Sequence, residues 1–463
     1  MIKFGTDGWR AVISKDYTFD NVKIVAQAIA DYIKEIDDKR PVLVGYDTRF
    51  MSEEYARLCA GVLVANGIKT YLTKKPTPTP VVSFTVKNMN LAGAIMITAS
   101  HNPPQWNGIK FKGDYGGSAL PSIIAEIEKH LYKNEVKFVE PENSNLFSYI
   151  DPDKEYFEHI EKLVDLNLIA KSRPFAIIDP MYGAGVGYVK TLLEKYGIKY
   201  IQIRDERNPY FGGVNPEPIY KNLGKLIDAV VQNNTDIGLA TDGDADRVGA
   251  VDEKGEFIDS HRIYALLLRH LVEVKGLKGG VVKTFSTTNM VPILANKYGL
   301  KIYETPIGFK YICELFLKED ILIGGEESGG IGIKNHIPER DGILCSLLLL
   351  EIMAYYQKPI SQILDELFKE IGYHYYDRVD LHLPNEIKEK TLKIISQNTE
   401  FAGRKIKDIQ TLDGYKYIFE DGSWILFRAS GTEPVLRVYT EQFTKDEVKR
   451  LLDEAVKFIE KMK

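Results

Sequence analysis

The stretch Glu194-Lys-Tyr-Gly-Ile-Lys-Tyr-Ile-Gln-Ile203 decides the fold, because two other segments share its pattern: Val64-Ala-Asn-Gly-Ile-Lys-Thr-Tyr-Leu72 and Asn296-Lys-Tyr-Gly-Leu-Lys-Ile-Tyr-Glu304. In each, a helix-like run ends at a glycine and gives way to β-favouring residues. Gly67, Gly197 and Gly299 stand where a helix needs a left-handed residue just past its end. A strand candidate precedes each helix, at Pro41–Gly45, Phe175–Asp179 and Gly280–Lys283. Strand, helix and strand, repeated at domain-sized intervals, predict α/β domains with largely parallel sheets.

Each copy carries a second strand that runs into a polar loop. Ala92–Thr98 leads into Ser100-His101-Asn102-Pro103, Asp236–Thr241 into Asp242-Gly-Asp244-Ala-Asp246-Arg247, and Asp320–Gly324 into Glu326-Glu327-Ser328-Gly329-Gly330. Ligands gather at the carboxyl ends of strands in open α/β sheets, so the three loops read as three walls of one cleft. After about Tyr373 the pattern changes to short alternating strands, Tyr417–Glu420 and Trp424–Phe427, and closes with an amphipathic helix from about Thr444 to Lys463. The predicted fold class is therefore α/β: three similar mixed or parallel-sheet domains, at residues 1–150, 151–255 and 256–372, and a smaller C-terminal α+β domain at 373–463, around one central cleft. A length of 463 residues agrees with several domains.

Composition narrows the function classes. With 60 basic and 65 acidic residues the net charge is -5, which lacks the positive field of a non-specific nucleic-acid binder. The cysteines, Cys59, Cys313 and Cys345, are scattered and form no C-x-x-C, so neither a disulfide framework nor a thiolate zinc site is expected. A reducing, cytoplasmic setting follows. Met1–Arg10 is polar where a secretory signal would be apolar, and the apolar stretch Ile343–Tyr356 is too short to span a bilayer and reads as a buried helix. No membrane partner is expected, and nothing in the sequence speaks to oligomeric state.

Asp242, Asp244 and Asp246 place three carboxylates within five residues, at alternate positions that point one way in an extended loop. That crowding calls for a cation, and hard oxygen ligands suit Mg²⁺ or Ca²⁺. Glu253 falls at the twelfth position of an EF-hand loop, but Arg247 occupies the place that needs glycine and the flanks read as strands, which favours Mg²⁺. Arg247 would set a guanidinium beside an anion on that metal. Arg428, Ser430, Gly431 and Thr432 form a second anion site: a guanidinium, two hydroxyls and a glycine open to backbone approach. Ser100 offers a hydroxyl nucleophile at a strand end, with Lys110 in Asn107-Gly-Ile-Lys110 ten residues on. No G-x-S-x-G surrounds it, and the chain has no P-loop. Tyr182-Gly-Ala-Gly-Val-Gly187 fails the dinucleotide fingerprint because Tyr188 stands at its last glycine. Pro76-Thr-Pro-Thr-Pro80 reads as a rigid connection that could line the cleft.

Taken together these residues resemble the α-D-phosphohexomutase superfamily, the phosphoglucomutases and phosphomannomutases. The resemblance is carried by Phe4–Arg10, TASHNP (98–103) with NGIK (107–110), DGDADR (242–247), GGEESGG (324–330) and RASGTEP (428–434), in order along the whole chain. It implies an isomerase with four domains about a deep cleft, Mg²⁺ held by Asp242, Asp244, Asp246 and a phosphoserine oxygen, and phosphorylated Ser100 as donor to a hexose phosphate. A hexose 1,6-bisphosphate then serves as intermediate and activator. His101, Lys110 and Arg247 would act in catalysis, Lys110 in proton transfer. Glu326 and Ser328 would bind the sugar, with Gly308 beside them. Arg428, Ser430, Gly431 and Thr432 would clamp the distal phosphate, with Arg437 near, and Arg10 and Lys283 would face the cleft.

The segment Glu326-Glu327-Ser328 with His336-Ile-Pro-Glu-Arg340 is similar to the phosphoglucomutase branch, so glucose 1-phosphate and glucose 6-phosphate are the expected pair; Arg340 stands where a lysine is usual. The alternatives are a phosphomannomutase, a phosphoglucosamine mutase, or a non-catalytic sugar-phosphate binder. Gly330 occupies a position where the first two carry a histidine, which makes His336 a substitute proton-transfer candidate. Ile307 replaces a common threonine before Gly308.

Overall fold

The computed structural model describes residues 2–5, 7–429 and 434–462. Three sheets repeat one arrangement. In each, the first strand lies centrally, the strand after its helix pairs with it in parallel on one side, and the loop-bearing strand pairs in parallel on the other. A fourth strand then returns antiparallel beside the loop-bearing one. In the first sheet these are Val42–Tyr46, Thr70–Thr73, Gly93–Ile97 and Trp106–Gly113, with Trp9–Val12 and Phe147–Ile150 at the edges. In the second they are Phe175–Asp179, Lys199–Gln202, Ile237–Thr241 and Val248–Asp252. In the third they are Gly280–Thr284, Ile302–Thr305, Ile321–Gly325 and Ile331–Ile333. The edge strand Phe257–Ile258 pairs with Ala250 and Val251 of the second sheet, so that sheet runs past residue 255.

Gly67, Gly197 and Gly299 have φ of 80°, 67° and 64°, the left-handed stop expected of them. The central strands are buried along their length, save the partly buried Phe175 at the start of the second, which explains their unbroken apolar runs. Helix Gly342–Tyr356 is apolar on all sides because it lies inside the core shared by the second and third sheets, packed between helices Leu166–Ser172 and Ser260–Glu273. Asp341 caps it, accepting from the N–H groups of Ile343 and Leu344. Among the described residues no single helix is long and apolar enough to cross a membrane.

The fourth sheet is wholly antiparallel, in the order Tyr375–His382, Val435–Gln442, Trp424–Ala429, Tyr415–Phe419, Arg404–Gln410, Glu400–Phe401. Helix Lys445–Glu460 covers one face with Val448, Leu451, Leu452, Ala455 and Ile459. On the other side Trp424, Leu426 and Tyr439 close against Phe285 of the third domain.

Candidate active site

The loop after strand Gly93–Ile97 is held in a strained form. Ser100 is buried with φ of 51°, in the left-handed region that disfavours side chains. Arg49 supplies the restraint. Its guanidinium donates to the carbonyls of Ser100 (2.5 Å), Asn102 (2.7 Å), Pro103 (2.9 Å) and Trp106 (3.0 Å), and it pairs with buried Asp47 at 3.2 Å. Thr98 donates to Asp47 and accepts from the Ser100 N–H at 2.8 Å. So fixed, the Ser100 hydroxyl donates to Oδ2 of Asp242 at 2.8 Å, joining the first sheet's loop to the second's.

Asp242, Asp244 and Asp246 are fully buried, and each has an oxygen within 4.8 Å of the others. They converge through a tight turn, with Ala245 at φ of 59° and its N–H bonded to the Asp242 carbonyl, and not by alternation along an extended loop. The turn lies so close to the serine loop that a Cβ at Gly243 would stand 2.5 Å from the Ser100 carbonyl oxygen. Thr79, from the proline-rich run, donates its hydroxyl to Asp244 at 2.6 Å and its N–H to the Asp244 carbonyl, so that run does line the site.

The carboxylates are countered by fixed cations. Lys110 Nζ lies 2.9 Å from Asp7, 2.9 Å from Asp244 and 3.3 Å from Asp246. Burial favours its neutral form, but Asp244, Asp7 and Asp246 outweigh this and raise its pKa, so it remains an ammonium. Arg340 reaches Asp246 at 2.6 Å, Asp7 at 2.9 Å and Glu326 at 3.5 Å, uniting residues of the first, second and third domains. Arg247 lies 3.8 Å from both Asp242 and Asp246, and Arg10 bonds Asn102 and Asp7. Burial first, then Asp246 and Asp244, pushes the Asp242 carboxyl well above its usual range. Oδ1 of Asp244 and Oδ1 of Asp246 are buried without a hydrogen-bond partner. Crowded, unpartnered carboxylate oxygens beside a hydroxyl fit a hard divalent cation such as Mg²⁺.

Nδ1 of His101 is buried and likewise without a hydrogen-bond partner. Burial and then Arg247, Arg10, Arg378 and Arg49 lower its pKa, so the ring is neutral. Glu326 accepts from the Gly308 N–H at 3.1 Å, and burial, with Glu327 adding, raises its carboxyl to about 7 against the opposing Arg340. Ser328 is half-buried on the same loop. Arg247 and Gly330 form a backbone bridge, which ties the Glu326–Gly330 loop to the Asp242–Arg247 loop.

Arg428 and Arg437 lie on adjacent strands of the fourth sheet, paired with Asp413 at 3.0 Å and Asp380 at 3.6 Å respectively. Ser430, Gly431 and Thr432 fall outside the described residues. Arg378, on the strand beside Arg437, extends to within 3.8 Å of Glu217 and of Glu327, linking the fourth domain to the second and third.

One expected site residue is corrected. The His336 side chain has no exposed surface: it bonds Asp341 at 2.9 Å and His159 at 3.0 Å and stacks on His159, inside a polar core cluster completed by the Tyr156 hydroxyl. A ring so enclosed cannot serve a substrate. Lys283, expected to face the cleft, pairs with Glu304 at 2.6 Å on the neighbouring strand. Sequence reasoning missed Asp7, Asp47, Arg49, Thr79, Arg378 and Asp413. Asp47-Thr-Arg49 had one available signal, an acid and a base at the carboxyl end of a buried strand.

Comparisons with known proteins agree along the whole chain. Phosphoglucomutase/phosphomannomutase models match in four pieces: α/β/α domain I over residues 1–137, domain II over 154–255, domain III over 259–371 and the C-terminal domain over 384–458. A phosphoglucomutase/phosphomannomutase of Thermococcus kodakarensis is 31% identical, over 99% of this chain and 98% of its own. The phosphoglucosamine mutase of Methanocaldococcus jannaschii is 32% identical, covering 98% of each. A crystal structure from Thermus thermophilus, assigned as a phosphomannomutase, superposes with a TM-score of 0.88 at 38% identity and 99% coverage of both chains.

Proposed function

Because the chain belongs to the phosphoglucomutase/phosphomannomutase family of the α-D-phosphohexomutase superfamily, a group of isomerases, we propose that it moves a phosphoryl group between the 1- and 6-positions of a hexose through Ser100. The observation that carries this is the Ser100 hydroxyl, 2.8 Å from Asp242 in a loop that Arg49 holds in a left-handed turn. Such a nucleophile is positioned before substrate arrives, which is where catalysis of phosphoryl transfer is largely won.

In the proposed cycle, phosphoserine 100 gives its phosphoryl group to the free hydroxyl of a hexose monophosphate. The bond from phosphorus to Oγ breaks as the bond to the sugar oxygen forms, and the hydroxyl proton leaves. Neutral His101 offers Nδ1 to that proton, while the Lys110 ammonium stabilises the charge that returns to Oγ. The hexose 1,6-bisphosphate turns over in the cleft and its other phosphoryl group passes back to Ser100. Arg247 steadies the transferring group, Glu326 and Ser328 the sugar hydroxyls, and Arg10, Arg428 and Arg437 the phosphate that is not being transferred, with Ser430, Gly431 and Thr432 completing that clamp. Mg²⁺, held by Asp242, Asp244, Asp246 and a phosphoserine oxygen, would supply charge neutralisation there.

For the sugar, the names of the relatives support mannose or glucosamine phosphate better than the glucose preference expected from Glu326-Glu327-Ser328. Turnover of mannose, glucosamine and glucose 1-phosphates side by side ranks the three. Ser100→Ala should lower turnover to below about a thousandth of wild type with folding intact. The wild-type protein should carry phosphate on Ser100 by intact mass and peptide mapping; near-normal activity in the alanine variant would overturn the phosphoserine route.

A further inference from the structure

The loop Pro306-Ile307-Gly308 offers two consecutive N–H groups to acidic side chains of different domains. The Ile307 N–H donates to Oδ2 of Asp413 in the fourth domain at 2.9 Å, and the Gly308 N–H donates to Oε1 of Glu326 in the third at 3.1 Å. The same Asp413 oxygen lies 3.0 Å from Nε of Arg428. Asp413 occupies the turn between strands Arg404–Gln410 and Tyr415–Phe419. Gly414 beside it, at φ of 110°, lets that turn press against the arginine's strand, where a Cβ would stand 2.5 Å from the Phe427 carbonyl. One carboxylate oxygen thus holds the guanidinium and, across the domain boundary, the loop that steadies Glu326. An ion pair made through Nε spares the terminal nitrogens, the fork that suits a phosphate.

We infer that Asp413 is a positioning residue: it orients Arg428 for the distal phosphate and couples that arginine, through Ile307 and Gly308, to the sugar-binding Glu326. The inference rests on the phosphohexomutase reading for the identity of the ligand. Because both contacts converge on one oxygen, engagement of a phosphate by Arg428 and of a sugar by Glu326 should favour the same closed arrangement of the third and fourth domains.

Asp413→Asn keeps an amide oxygen for the Ile307 N–H but removes the charge that holds Arg428, whereas Asp413→Ala removes both. In the full-length protein, calorimetric binding of whichever of mannose, glucosamine or glucose 1-phosphate the wild type turns over fastest should weaken about tenfold in Asp413→Asn, with KM rising in step and kcat within about twofold of wild type. Asp413→Ala should lose kcat as well. The double variant Asp413→Asn/Arg428→Ala should bind no more weakly than Arg428→Ala alone, since the aspartate acts through that arginine. Wild-type affinity in Asp413→Asn, or full additivity with Arg428→Ala, overturns the inference. Failure of the wild-type protein to turn over any hexose phosphate would overturn the function reading instead. Inorganic phosphate in the same calorimeter then decides the positioning role by the same tenfold criterion.

Discussion

Glu326 shows how one buried carboxyl shapes both site and stability. Burial first, with Glu327 adding, raises it to about 7, while Arg340 at 3.5 Å opposes the rise. Between the ordinary glutamate range near 4.5 and about 7, the folded state keeps a proton that the unfolded chain has lost, so stability falls as pH rises through that window and levels off above it. A displacement of that size corresponds to roughly 3 kcal/mol as an upper figure. Glu326→Gln should flatten the difference in urea-unfolding free energy between pH 5 and pH 8 by about 1–3 kcal/mol; an unchanged difference would place the titration elsewhere. Residues of this kind were legible where chemistry sits in contiguous runs, as in Asp242–Arg247 and Ser100–His101. They were not legible where a role depends on partners far along the chain. Asp7 is defined by Lys110 and Arg340, and Arg49 by carbonyls more than fifty residues away. His336 failed for the same reason: nothing local announces that His159, far along the chain, will stack on it and close it off beside Asp341.

The loops between elements owe their convergence to glycines that permit close backbone contact. Gly330 is the sharpest case, because a Cβ there would lie 2.2 Å from Cδ of Arg340. That arginine is buried and pinned by Asp7, Asp246 and Glu326, so it cannot yield cheaply. Gly330→Ala should therefore cost about 1–3 kcal/mol in stability and lower kcat/KM by dislodging the guanidinium. Measured by thermal unfolding and steady-state kinetics, Gly330→Ala/Arg340→Ala should be no less active than Arg340→Ala; additive losses would show that the glycine serves something other than the arginine. The repeated strand, helix, glycine and strand pattern was readable because burial imposes apolar runs and the helix ends require φ near 64–80°. The shape of the acidic loop was not, since Ala245 carries no outward sign of its left-handed turn.

At the scale of the molecule, the first three domains are locked together by buried ion pairs, while the fourth joins by a compact apolar seam. Trp424 is fully buried there against Phe285, with Leu426 and Tyr439, and Lys416 lies over its ring at 4.3 Å while donating to the Phe285 carbonyl. Asn289 adds two bonds at the rim, to Glu441 and to the Gly422 carbonyl. Removing the tryptophan deletes the largest side chain in the seam and leaves Lys416 buried without its ring. Trp424→Ala should cost about 3–5 kcal/mol, felt chiefly as weakened docking of the fourth domain, because the helix-covered core on the opposite face of that sheet is untouched. Small-angle scattering should then report a larger radius of gyration, limited proteolysis a newly exposed connection at residues 372–374, before strand Tyr375–His382, and kinetics a raised KM, since Arg428 and Arg437 move away with the domain. An unchanged scattering profile with wild-type KM would mean that Asp413 and Arg378, with their contacts to the second and third domains, suffice to keep the cleft closed without the apolar seam.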